Sequence, residues 1–318
     1  MKRFLRSVRG SWPIWAYSTG SWRRIPGHLP ALFPPGGDSE LRPNDFLFSP
    51  HGCGWHIDRP KFNSMLVETA ARAGASIFYE NEIEECTEED HGWCISAWRE
   101  GVPRGLKCRL VVDARGRAPA GGFGFPRRIA FDRLIAVVGL SRPAPRGCAS
   151  DYTLVEAVDE GWFYSAMVPC GEYVLAYLTD ADIYTASRAR SSSFLAEQLA
   201  KAPHTLARLE RVPPAVAVFS AVTSVRDAVT RRNWLAVGDA ARSYDPLSGL
   251  GLWSAMKMAS ESVQVIMDLL EGNVNRVFDY ERAHLEAFAQ YRSAHRAYYG
   301  LERRWPASEF WRRRRDST

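Results

Sequence analysis

The 318-residue sequence lacks any apolar run approaching the roughly 18 residues that cross a bilayer. Its basic opening, Met1 to Arg9, is not followed by the apolar segment of a signal peptide. These absences predict a soluble, cytoplasmic protein that neither spans a membrane nor is exported. Cysteine is sparse: Cys53, Cys86, Cys94, Cys108, Cys148 and Cys170 stand far apart with no Cys-x-x-Cys. A zinc knuckle and a dense disulfide scaffold are thereby excluded, no metal site is expected, and reduced thiols are the expectation. Low-complexity tracts and internal repeats are also missing.

A basic stripe within the folded part, the footprint of a nucleic-acid binder, is missing too. The net charge of +5 sits at the two ends: residues 1 to 24 carry six Lys/Arg and no acid, and residues 300 to 318 carry six Arg against three acids. The middle is net acidic, so nucleic acid is not an expected partner. What remains is an ordinary globular composition, 46% apolar and 24% charged, long enough for one large domain or two interleaved ones.

Residues 10 to 50 are rich in Gly, Pro, Trp and Ser and show neither helical nor strand periodicity, which predicts irregular loop. From Pro60, Phe62, Met65, Leu66, Thr69 and Ala70 recur at helical spacing, between Asp58 or Arg59 and Gly74, and predict a helix. Ser76 to Cys86, Gly92 to Trp98 and Lys107 to Val112 read as strands. Between Arg127 and Asp182 longer alternating segments follow: Ile129 to Leu140, Thr153 to Val158, Trp162 to Val168 and Tyr173 to Leu178. They predict an antiparallel sheet. A helix from Ser191 to Lys201 is expected to stop or kink at Pro203, before a strand from Val216 to Ser220.

The stretch richest in chemistry runs from Trp234 to Trp253. A short buried strand ends at Gly238-Asp239, crosses Asp245-Pro246, and enters through Gly249 and Gly251 a helix reaching about Leu270. Glycines let a backbone approach a ligand, and the first-turn N–H groups of a helix favour an anionic group. Asp239 either accepts hydrogen bonds from a sugar or ribitol hydroxyl or only caps the helix or turn. His51 and His56 read as hydrogen-bonded structural residues, since no nucleophile accompanies them. Asp113 and Gly116 can serve as a plain turn after a strand.

Gly238-Asp239 with Asp245-Pro246-Leu247-Ser248-Gly249-Leu250-Gly251 resembles the second flavin motif of the flavin-dependent monooxygenases of the p-hydroxybenzoate-hydroxylase fold. The branch it resembles includes the tryptophan halogenases and the flavoenzymes that mature cysteine tryptophylquinone. Further similarities are Gly54-Trp55-His56-Ile57-Asp58-Arg59, Leu110 to Arg117, and Glu160 to Ser165; Arg304-Trp305-Pro306 and Phe310-Trp311 resemble the quinone-maturation branch most. The resemblance implies FAD as cofactor, with Asp239 and Gly238 at the ribityl chain and Pro246, Gly249, Leu250 and Gly251 along the ribityl and isoalloxazine portions. Arg59 either caps its helix or, as the resemblance implies, reaches the flavin.

Two departures qualify the resemblance. No strand, Gly-x-Gly-x-x-Gly turn and helix precedes Gly10, so the first βαβ unit of the family is missing; a misassigned start, a gene fragment or another hold on the ADP half would account for it. Gly121-Gly122-Phe123-Gly124 is no substitute, because Phe125-Pro126 follows. Second, halogenases carry Trp-x-Trp-x-Ile-Pro where this chain has Trp162 to Pro169, which ranks hydroxylation above halogenation. The implied fold class is α/β (α+β): a truncated glutathione-reductase-like FAD domain (1-123 and 229-272), an inserted antiparallel substrate domain (124-228), and a C-terminal helix with a basic tail (273-318). The implied reaction is hydroxylation of an aromatic ring, extending to a tryptophan of a partner oxidase precursor, with NAD(P)H or a flavin reductase as electron donor. No side chain is singled out as catalytic. The alternatives are a hydroxylase or halogenase of a free small aromatic, and a flavin-free remnant that binds a partner. The aromatics and arginines of Ser11 to Pro50 and of Arg303 to Arg315 suit either partner docking or buried packing, and Arg312 to Arg315 read as a solvated tail.

Overall fold

The computed structural model describes residues 22–24, 28–32, 42–45, 55–79, 82–99, 102–118, 123–145, 152–190, 193–213 and 217–316. Trp12, Trp15, His51, Gly54 and Gly121-Gly122 lie outside them. The helices among the described residues, in chain order, are α1 (Arg59–Arg72), α2 (Ala181–Arg190), α3 (Phe194–Ala200), α4 (Pro203–Leu206), α5 (Gly251–Leu270), α6 (Asn275–Tyr299) and α7 (Glu309–Asp316). None is long and apolar enough to cross a membrane.

The described chain separates into two compact units. One gathers the described residues up to Tyr79 with Val137–Leu178 and Ser187–Val218; the other comprises Glu80–Ala136, Thr179–Ala186 and Phe219 onward. In the first, a sheet runs in the order Ala217–Ser220, Leu134–Ser141, Tyr173–Asp180, Gly161–Met167, Leu154–Val158, His28–Leu32, Arg42–Asp45. Leu154–Val158, Gly161–Met167 and Tyr173–Asp180 pair antiparallel, as the alternation predicts, whereas His28–Leu32 joins Leu154–Val158 in parallel. Trp162 and Phe163 are fully buried within this sheet, so both serve packing. Helix α1 starts where predicted: the Asp58 carboxylate accepts the Lys61 N–H at 3.2 Å, Pro60 occupies the first turn, and Gly74 follows the last with φ +98°.

In the second unit, Glu82–Glu89, Gly92–Arg99 and Val102–Cys108 form an antiparallel meander. A second sheet orders Thr230–Arg231, Trp234–Ala236 and Val111–Asp113, the last two parallel, with Trp234 opposite Val111 and Ala236 opposite Asp113. Its core joins Trp93, Val229, Trp234, Leu235, Met258, Val265, Leu269 and Tyr280, and Phe125 stacks on Trp234 at 5.0 Å. The parallel pair is what positions the site, because it delivers two strand ends side by side.

Several expectations are corrected. The span 10 to 50 contains the strands Trp22–Arg24 and His28–Leu32, each paired with a distant segment, and Arg42–Asp45, which pairs antiparallel with His28–Leu32. Ser76 to Tyr79 has strand propensity but no ladder partner among the described residues, and the strand begins only at Glu82. Lys107 to Val112 is broken at Arg109-Leu110, its two halves serving different sheets. Ile129 to Leu140 is broken at Asp132, whose side chain accepts the Leu134 and Thr223 N–H groups, both at 3.1 Å, and so replaces a ladder by a turn. Helix α2 was not foreseen, α3 is shorter than the span 191 to 201, and Pro203 opens α4 as well as ending α3. The basic tail is a helix, α7, not solvated chain: Phe310 and Trp311 are fully buried and Arg314 is 3% exposed.

Candidate functional site

Asp113 and Val237 end neighbouring parallel strands, joined where the Val237 N–H donates to the Asp113 carbonyl at 3.0 Å. Ligands of α/β sheets bind beyond such carboxyl ends. Past Val237 the chain makes a tight 3-10 turn, Gly238–Ala240, opened by Gly238 at φ +58°. A Cβ at Gly238 would also lie 3.2 Å from that of Ala255, so glycine both turns the backbone and lets it close on α5.

Three arginines hold this turn. Arg226 donates to the Ala240 carbonyl at 2.8 Å, and Arg128 donates to the carbonyls of Asp239, Ala240 and Gly116 at 3.1, 3.1 and 2.9 Å. Arg117 donates its Nε–H to Asp239 Oδ2 at 3.1 Å and its terminal groups to the carbonyls of Val222 and Tyr244. Burial pushes the guanidinium groups of Arg128 and Arg226 below their ordinary pKa, against the pull of Asp113. Burial alone would raise Asp113, but bonds from Arg115 and the nearby Arg226 hold its carboxyl low; the Arg226–Asp113 pair, at 3.1 Å, is 1% exposed on both sides. Asp239 differs: its side chain keeps 28% of its surface. The carboxylate of the turn is reachable while its carbonyls are fully engaged.

The second segment follows Asp245-Pro246. The Asp245 side chain accepts the Leu247 N–H at 2.9 Å, Pro246–Ser248 forms one 3-10 turn, and Gly249 reverses the chain with φ +63°. Pro246 and Gly249 are exposed, Leu250 and Gly251 half-buried. A Cβ at Gly249 or Gly251 would meet nothing within 4 Å, so the space before them is open. No side chain caps the first turn of the 20-residue α5, leaving its N–H groups and positive dipole end to face a ligand. Gly238, Asp239, Pro246, Gly249, Leu250 and Gly251 therefore come together in one unit. Arg59 belongs to the other, exposed at the first position of α1. His56 is buried, with Nε2 3.0 Å from Thr153 Oγ1, as a structural histidine should be.

Sequence reasoning missed the arginine clasp and the face of α6 behind Asp245. Arg117 closes the Leu110 to Arg117 segment that the resemblance marks, but Arg128 and Arg226 stand in no marked segment, and Arg226 is about a hundred residues from the other two. The α6 residues left a signal: His284, Phe288, Tyr291, His295 and Tyr299 recur at helical spacing and are all buried. Among the described residues no group of His, Cys, Asp and Glu is arranged to hold a metal.

An open carboxylate, a glycine-bounded loop and an uncapped helix start suit a polyhydroxylated, anionic cofactor such as the ribityl-flavin portion of FAD. The comparisons agree with that class. The chain superposes on the myxobacterial FAD-dependent chondrochloren halogenase CndH with a TM-score of 0.76 at 20% identity, covering 93% of this chain and 71% of that one. It superposes on the peptidyl tryptophan dihydroxylase QhpG, essential for tryptophylquinone cofactor biogenesis, with a TM-score of 0.66 at 22% identity, covering 92% and 64%. In sequence it is 25% identical over 273 residues to LodB of Marinomonas mediterranea, described as an FAD-dependent oxidoreductase, covering 84% of this chain and 73% of LodB. The fold is a mixed α/β fold similar to that of FAD-dependent halogenases. The family model of tryptophan halogenase matches residues 41–318, and the chain belongs to that family. It is an enzyme, a flavoprotein oxidoreductase whose cofactor is FAD.

Proposed function

We propose that the enzyme hydroxylates an aromatic ring, and that the ring is a tryptophan side chain in a partner oxidase precursor. The observation that carries the reading is the junction of Asp239 with the open Pro246–Gly251 loop at the start of α5. Reduced FAD, when bound, supplies the activation of O₂. The chain's own part is positional. Asp239 would accept hydrogen bonds from ribityl hydroxyls through its open face, beside the one bond it takes from Arg117. The N–H groups of Gly251 and Leu252, at the uncapped start of α5, would serve as donors to the cofactor. Gly249 and Gly251 present backbone without side chains that would hold the ring away.

Supporting a peptidyl substrate are the likeness to QhpG and to LodB; supporting hydroxylation over halogenation is the sequence Trp162-Phe163-Tyr164-Ser165 in place of the halogenase pattern. In the same reading, residues 124-228 form the substrate side and 1-123 with 229-272 the flavin side, and NAD(P)H or a flavin reductase provides electrons.

The test supplies the protein with FAD, NADH and a flavin reductase, and offers a tryptophan-containing peptide of an oxidase precursor beside free tryptophan and indole, with chloride present. Oxygen gained on the peptide tryptophan is expected by mass spectrometry. Oxygen gained only on the free aromatics would overturn the peptidyl substrate, and chlorine gained on any of them would overturn hydroxylation.

A further inference from the structure

Asp245 is 1% exposed and carries more hydrogen bonds than a turn needs. Its Oδ2 accepts the Tyr299 hydroxyl at 2.8 Å and His295 Nε2–H at 3.1 Å, while its Oδ1 accepts the Leu247 N–H at 2.9 Å. Its own N–H donates to Tyr291 Oη at 2.8 Å, and that hydroxyl lies 3.4 Å from Thr223 Oγ1. Its carbonyl accepts Ser248 Oγ–H at 2.7 Å. Tyr291, His295 and Tyr299 are spaced four apart on α6 and so share one face. Their rings follow one another, Tyr291 to His295 at 5.5 Å and His295 to Tyr299 at 4.6 Å, and α7 closes over the last with Phe310 and Trp311 at 6.4 and 5.7 Å.

A buried carboxylate is costly unless its oxygens are satisfied. Burial is the largest influence on Asp245 and pushes it up, but the interactions with His295, with Arg314 and with the Leu247 N–H together outweigh it and hold the carboxyl below its ordinary range. The ionised group then accepts from both sides at once: from α6 behind it and from the loop amide in front. Rotating Asp245 to free Leu247 would strand the hydroxyl of Tyr299 and the Nε2–H of His295 in a dry interior.

We infer that Tyr291, His295 and Tyr299 are positioning residues that clamp Asp245 and thereby set the conformation of the Pro246–Gly251 loop against the flavin. The inference rests on the reading that this loop borders the cofactor. The clamp itself is a property of the protein alone, so the two can fail separately.

The test uses the full chain and three variants: Tyr299→Phe, which keeps the ring; His295→Leu, which removes the donor; and His295→Gln, which restores an N–H near the position of Nε2. Amide exchange over residues 246 to 253, thermal midpoint, and FAD affinity from flavin fluorescence quenching are read together. Tyr299→Phe and His295→Leu are expected to speed exchange in the loop and to weaken FAD binding by about tenfold, the loss of one bond to a charged acceptor, with His295→Gln close to parent. Loop exchange and FAD affinity that stay at parent values while only the midpoint drops would overturn the clamp. So would His295→Gln behaving as His295→Leu. Gly249→Val, made in parallel, tests the underlying reading: unchanged FAD affinity there removes the loop from the flavin site, whatever exchange says of the clamp.

Discussion

At the scale of single residues, Asp239 and Asp113 show how two carboxylates at adjacent strand ends take different tasks. Asp113 is sealed by Arg115 and Arg226, and Asp239 keeps an open face. Asp239→Ala should therefore weaken FAD binding by about tenfold to a hundredfold, the value of a charge-assisted acceptor, with little change in thermal midpoint. Equal FAD affinity in variant and parent would reduce Asp239 to a turn residue. His284 carries a different signature. Its Nδ1 faces the Arg242 guanidinium at 3.1 Å and its Nε2 the Arg226 carbonyl at 3.4 Å. Burial, then the Arg242 charge, push its pKa down to about 4. A folded pKa below the unfolded one means that the unfolded chain takes up the proton first. The stability this neutral histidine supports is present above about pH 6.5 and is lost as pH falls toward 4, by about 2 kcal/mol between pH 7 and pH 5. Urea unfolding at the two pH values should show that loss in the parent, and a smaller one in His284→Asn.

At the scale of elements, the C-terminal arginines are the clearest case of tertiary override. Arg314 pairs with Asp180 at 2.6 Å, both nearly without exposure, and lies over the Phe310 ring at 3.6 Å; Arg313 reaches Asp180 and Asp182 at 2.9 and 2.7 Å. Arg312 beside them is exposed. A run of four arginines thus divides into buried, half-buried and free members by helical rotation alone. Arg314→Met should cost about 3 kcal/mol, since it leaves the buried Asp180 short of a partner, whereas Arg312→Met should be neutral within about 0.5 kcal/mol. Denaturant midpoints decide it, and equal effects of the two would restore the solvated tail. Cutting the chain after Glu302 removes Phe310 and Trp311 from Tyr299, so that deletion is expected to destabilise the protein rather than to remove a detachable docking arm.

At the scale of the whole molecule, a ligand that binds only the folded state raises its stability, by about 2.7 kcal/mol at a hundred times the dissociation constant. FAD should accordingly raise the thermal midpoint by several degrees. Flavin mononucleotide should retain much of that shift, because the proposed function assigns the assembled elements to the ribityl and ring portions; ADP should retain little. A shift carried by ADP and absent with flavin mononucleotide would contradict this assignment of the loop.

Much of the frame was legible in the sequence because it is local. The Asp58 cap, Gly74 stop and apolar spacing define α1; Gly238-Asp239, Asp245-Pro246 and Gly249 demand a turn, a restrained approach and a left-handed residue before a long helix, and all of these occur where the residues stand. The resemblance to the flavin-dependent family also rested on such contiguous segments. What the sequence could not convey depends on groups far apart along the chain. The strands at Trp22 and His28 exist through distant partners, the break at Asp132 through the Thr223 amide, and the clasp on the Gly238–Ala240 turn through Arg117, Arg128 and Arg226. Whether an arginine is a solvated charge or a buried bond donor depends on which carboxylate or carbonyl the fold brings opposite it, and that is decided by packing, for which a linear pattern holds no variable.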